Sequence, residues 1–119
     1  MASQQLLECS FLIPVRRDRV LSDGKPHSPK AWLWLEQELL AFGGGTRSPN
    51  LYAGWYLDPD TGERVQDRSR KYFVAIARGR VVELRDLLRL ACMRFRQKCI
   101  YLNVGGRVEF VEGTGHAPP

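Results

Sequence analysis

The side chains of this chain best equipped for chemistry are cations. Arg85, Arg89 and Arg96 recur at spacings that place them on one helical face, and Arg68, Arg70 and Lys71 stand at the entrance to an apolar run. Cations held in register are what phosphate oxygens require, so this set predicts a polyanion-binding surface. Carboxylates offer a second chemistry. Glu8 and Glu109 fall in half-apolar segments, where desolvation raises a carboxyl pKa towards the range useful for proton transfer; ion pairing with Arg16, Arg17 or Arg107 is the plainer account of both.

Other chemistry is thin. The two histidines, His27 and His116, have no nucleophile or metal-ligating partner beside them, so no catalytic residue can be assigned. Cys9, Cys92 and Cys99 are odd in number and form no C-x-x-C pair, which argues against a disulfide framework and against a zinc site and predicts reduced, buried thiols. Gly43-Gly44-Gly45 lacks the lysine and hydroxyl of a phosphate loop and follows a helix instead of opening one, so it reads as a helix terminator. Neither a cofactor nor a metal is expected.

The charge is unevenly spread. The net charge is +5, yet residues 64–98 hold eleven Lys and Arg against three acids. Such a field steers polyanions. Arg outnumbers Lys fourteen to four, which GC-rich coding would also produce, leaving the arginines as a solvated helix face. A length of 119 residues, with 44% hydrophobic and 26% charged residues, fits one globular domain. No apolar run is long enough to span a membrane, and the start lacks the pattern of a secretory signal, so a cytoplasmic protein is expected.

Positioning these groups falls to six or seven elements. Residues 1–5 are read as frayed, 6–112 as one domain and 113–119 as a disordered tail. Residues 6–15 form a dense apolar strand ending near Pro14, and 16–27 a polar loop. Ser28-Pro29 opens a helix with Trp32, Leu35, Leu39 and Phe42 on its buried stripe, which leaves Trp34 on the outer face as a candidate interface residue. Residues 51–57 alternate as a strand. The turn 58–62 leads into a return strand that begins at Glu63 or Ser69 and ends at Ala77. Leu84, Leu87, Leu88, Ala91 and Phe95 mark a second amphipathic helix, followed by a strand at 100–104, a Gly105-Gly106 turn and a short strand at 107–111.

Strand, helix, strand, strand, helix, strand is the α+β order of a ferredoxin-like βαββαβ sandwich, here with room for an extra C-terminal strand. Right-handed crossovers put both helices on one face of an antiparallel sheet. The other face is left open, and the alternation assigns it Glu8, Ser10, Leu12, Tyr52, Tyr56, Tyr101, Asn103 and either Tyr72 or Phe73. Three segments, Cys9-Ser10-Phe11-Leu12-Ile13-Pro14, the stretch from Phe95 to Leu102 and Gly106-Arg107-Val108-Glu109-Phe110, resemble a family of small uncharacterised bacterial proteins with a ferredoxin-like core. That resemblance implies the fold and no catalytic residue.

The leading functional expectation is a non-catalytic binding module that engages nucleic acid or another polyanion, or an acidic protein, through the basic helix and the aromatic sheet face. Two alternatives stand beside it: an enzyme or ligand-binding protein with a small-molecule cleft on the open face, and a regulatory oligomerisation domain. A homodimer formed through that face is expected.

Overall fold

The computed structural model describes residues 5–58 and 60–113. Most of the two ends read as frayed and disordered, together with His116 and Pro59 of the turn, lies outside the described residues. The chain is α+β: two helices pack on one face of a six-stranded antiparallel sheet. Its strands are β1 (Leu6–Pro14), β2 (Thr46–Arg47), β3 (Tyr52–Leu57), β4 (Arg64–Ala77), β5 (Cys99–Val104) and β6 (Arg107–Glu112), and its helices are α1 (Pro29–Leu39) and α2 (Val81–Arg94). The strand order is β2-β4-β1-β5-β6, and β3 also pairs with β4. This is the ferredoxin-like arrangement with β6 as the extra strand. Among the described residues, no helix is long and apolar enough to cross a membrane.

One layer of side chains unites the helices with the sheet. Cys9, Phe11 and Ile13 of β1, Tyr72, Val74 and Ile76 of β4, and Ile100 and Leu102 of β5 meet Trp32, Leu35 and Leu39 of α1 and Leu84, Leu88 and Ala91 of α2. Burial of this layer, at about 25 cal/mol per Å² of apolar surface, is the main force holding the fold together. Period-2 alternation then puts every second residue of each strand on the uncovered face.

The helix ends follow from local chemistry. Ser28 takes the extended N-cap conformation before Pro29, but its hydroxyl makes no capping bond; the entry is set by the proline. Past a short 3₁₀ turn at Leu40–Phe42, Gly43 closes α1 in the left-handed region at φ 95°, and Gly44 N–H donates to Leu39 O at 3.1 Å. At the end of α2 the left-handed position is held by Arg96 (φ 50°), and the buried Gln97 steadies the exit. Its side-chain amide donates to Phe95 O and Arg16 O, both at 2.8 Å.

One feature is absent from the sequence-based expectation, and two others refine it. The two-residue β2 pairs Thr46 with Phe73 and Arg47 with Tyr72; it is too short to leave a periodic signal. β4 begins at Arg64 and runs for 14 residues, pairing first with β3 and then with β1. Residues 16–27 are a tied loop: Arg16 bridges to Pro26, and Arg17 N–H donates to Lys25 O at 2.9 Å.

Candidate functional site on the open sheet face

The six cations assigned to polyanion binding do not share a surface. Register places Arg68 and Arg70 on the helix side of β4, where the Arg70 guanidinium lies 4.0 Å from the Trp32 ring centroid and 3.9 Å from Glu36. Arg85 donates two bonds to Glu109, at 2.6 and 3.0 Å, and this pairing holds the Glu109 carboxyl below its usual range. Arg89 is bound to Asp86 at 2.6 Å. Arg96 stands at the helix exit, beside a groove that it lines with Trp34, Leu90, Met93 and Arg94. Trp34 is half-buried there, its ring covered by Arg94 at 4.8 Å. Lys71 alone of the six points to the open face. The arginines are dispersed over the helix side, and Arg70, Arg80, Arg85 and Arg89 are paired with acids.

The open face is aromatic and acidic. Its transverse rows follow the register. Lys71, Leu12, Tyr101 and Phe110 form one row; Phe73, Ser10, Asn103 and Val108 form the next, with Glu8 beyond them opposite Ala75. Towards the hairpin, Tyr52 stands opposite Ser69, Gly54 opposite Asp67 and Tyr56 opposite Val65. Five rings therefore share this surface: Tyr52, Tyr56, Phe73, Tyr101 and Phe110. Tyr101 and Phe110 meet edge to face at 5.8 Å. The Asn103 amide oxygen is committed to the turn, accepting from Gly106 N–H at 2.8 Å. The choice between Tyr72 and Phe73 is resolved by burial: Tyr72 faces the helices, donates its hydroxyl to Glu36 at 2.8 Å and has its pKa pushed up to about 12, first by burial.

Asp67 is the residue that sequence reasoning missed. Along the sequence it is one of three acids in a basic segment, and the alternation that puts Phe73 and Lys71 outward also puts Ser69 and Asp67 there. Its carboxyl is half-buried, and desolvation raises its pKa. Space for it comes from Gly54, because a Cβ at that position would stand 3.2 Å from Asp67 Oδ1. Next along this face, the Tyr56 phenol is also raised, by burial and then by the negative charge of Asp67, so it remains a proton-bearing donor. A desolvated carboxylate beside a protonated phenol and several aromatic rings can bind a cation, orient it and exchange a proton. The hairpin that carries Asp67 and Tyr56 is fastened at its tip, where Lys98 lies 3.2 Å from Asp60 and 3.9 Å from Asp58.

His27 and the cysteines serve structure. His27 is buried between Trp32 and Phe95, with Nε2 2.7 Å from Pro14 O, and burial lowers its pKa. Cys9 and Cys92 are buried as expected, whereas Cys99 is exposed; desolvation raises all three thiols, Cys92 to about 12, so none is a ready thiolate.

No family model matches this chain. No curated protein matches it either. Among solved structures it is similar to a phage SAM lyase in complex with S-methyl-5'-thioadenosine, at a TM-score of 0.69 and 9% sequence identity, covering 95% of this chain and 94% of that one. The same description, phage SAM lyase, applies to an apo structure at a TM-score of 0.61 and 10% identity, covering 91% and 90%. At these identities the likeness shows the fold. The expected non-catalytic nucleic-acid module is corrected on two findings: its cations are dispersed, and the two solved structures just described, which share the fold, are of a SAM lyase, an enzyme.

Proposed function

We propose that this chain is an enzyme acting on a small molecule at the open sheet face, and that its substrate is a sulfonium nucleoside of the S-adenosylmethionine (SAM) type. The observation that carries this reading is the pairing of a desolvated carboxylate, Asp67, with five aromatic rings on one uncovered surface. Its support comes from the shared fold of a SAM lyase. Aromatic faces suit both halves of such a substrate, since they stack on adenine and attract a sulfonium cation without neutralising it.

S-methyl-5'-thioadenosine keeps the methyl and adenosyl groups of SAM, so a lyase that forms it breaks the bond between sulfur and Cγ of the aminobutyrate arm. The bonding pair leaves with sulfur, and an oxygen of the arm's own carboxylate closes on Cγ to give a lactone, so that no atom is added or lost. Sulfur enters that step as a cation and leaves as a neutral thioether. A carboxylate placed against the sulfur would hold the ground state more tightly than the transition state and slow the reaction. Asp67 is therefore suited to the α-ammonium group, which keeps its charge throughout, while the rings surround the sulfur with a medium that favours loss of charge.

Incubating the purified chain with SAM and following products by liquid chromatography and mass spectrometry tests the reaction. The expected result is S-methyl-5'-thioadenosine formed in proportion to protein concentration. SAM consumed no faster than in buffer removes the proposal. Self-association through the same face belongs to this reading, because Phe110, Val108 and Tyr56 remain exposed on it. A chain that sediments as a monomer at all concentrations would remove that part alone.

A further inference from the structure

A single cation among the described strand residues points to the open face. Among the described strand residues that point to it, the acids are Glu8, Asp67 and Glu112, and the one base is Lys71. Lys71 makes no ion pair among the described residues. Its ammonium lies 5.0 Å from the Tyr52 ring centroid and 5.2 Å from that of Phe73, and is therefore held by aromatic faces that leave its charge in place. Asp67 stands on the same face of the same strand, four residues away, a backbone span of about 13 Å. Ser69 lies between them, opposite Tyr52.

An α-amino acid carries its ammonium and carboxylate on one carbon, so a zwitterion meets both groups through the long Lys71 stem, whose ammonium lies against Tyr52, opposite Ser69 and on the way to Asp67. Laid along this strip, the zwitterion fits in one direction only. Turned round, the substrate would set ammonium against ammonium and carboxylate against carboxylate. We propose that Lys71 binds the carboxylate of the substrate's amino acid arm, fixing the direction in which the substrate lies with its ammonium towards Asp67. This rests on the SAM-type reading and deepens it: Lys71 becomes the residue that separates ligands bearing the amino acid arm from those without it.

The test compares two unreactive ligands by calorimetry on the full chain. S-adenosylhomocysteine carries the arm; S-methyl-5'-thioadenosine lacks it. Lys71→Met is expected to weaken the first by about tenfold or more, as loss of a charge-assisted hydrogen bond does, and to leave the second within about twofold of the parent. Lys71→Arg should keep most of the affinity for S-adenosylhomocysteine. Should Lys71→Met fail to give a native circular dichroism spectrum, Lys71→Gln takes its place. Equal losses for both ligands, or no loss for either, overturn the assignment. A parent chain that binds both, with Lys71→Met unchanged, removes the role of Lys71 and leaves the substrate reading intact. A parent that binds neither removes both.

Discussion

Leu88→Asp is expected to abolish the cooperative melting transition, while Arg89→Ala melts close to the parent. Leu88 is fully buried in the layer between α2 and the sheet. An unpaired carboxylate there costs several kcal/mol or shifts its pKa to stay neutral, against a total stability of about 5–15 kcal/mol for a domain of this kind. Arg89 pairs with the exposed Asp86, and an ion pair of that kind contributes about 1 kcal/mol or less. Thermal denaturation followed by circular dichroism distinguishes the two. Equal melting temperatures would contradict the placement of α2.

Asp67→Asn is expected to lower kcat/KM for SAM by on the order of a hundredfold or more, through loss of a charge that binds and orients the substrate ammonium. The same change should raise the melting temperature at neutral pH. Desolvation lifts the Asp67 pKa above its unfolded value, so the folded state pays for the charge once the pH exceeds both. Below the unfolded pKa both states are protonated and the cost is absent. As pH rises through the folded pKa the cost appears in full, and Asn escapes it. The gap in melting temperature between variant and parent should therefore widen from acid to neutral pH. A variant that keeps full activity, or one that melts lower than the parent at pH 7, would contradict this account of Asp67.

Much of this architecture is written in residue periodicity. The stripe Leu84, Leu87, Leu88, Ala91 and Phe95 is buried as its spacing requires, and the alternation of β1 and β5 assigned Glu8, Leu12, Tyr101 and Asn103 to the uncovered face, where the register puts them. Tyr52 and Tyr56 followed from β3 in the same way. What the pattern could not express was phase and partnership. Residues 72–76 are apolar throughout, so hydrophobicity alone does not say whether Tyr72 or Phe73 turns inward; the Tyr72 hydroxyl finds its partner in Glu36, 36 positions away. With the phase of β4 open, Asp67 and Lys71 could not be placed together. Charge misled for a related reason. Arg85 and Arg89 look like free cations along the chain, but Glu109 and Asp86 neutralise them, and the first of these partners comes from strand β6. Arg68 and Arg70 sit beside Lys71 in sequence, but a sheet separates them from it.

The claim on which the rest depends is that the open sheet face is where a sulfonium nucleoside binds. Two-dimensional NMR of the ¹⁵N-labelled chain titrated with S-methyl-5'-thioadenosine tests it most directly, because each amide reports its own position. The account predicts saturable shifts at Tyr52, Asp67, Phe73 and Tyr101, with Leu88, Arg89 and the other amides of α2 left in place. Shifts confined to the helix side, or no shifts at millimolar ligand, would contradict it.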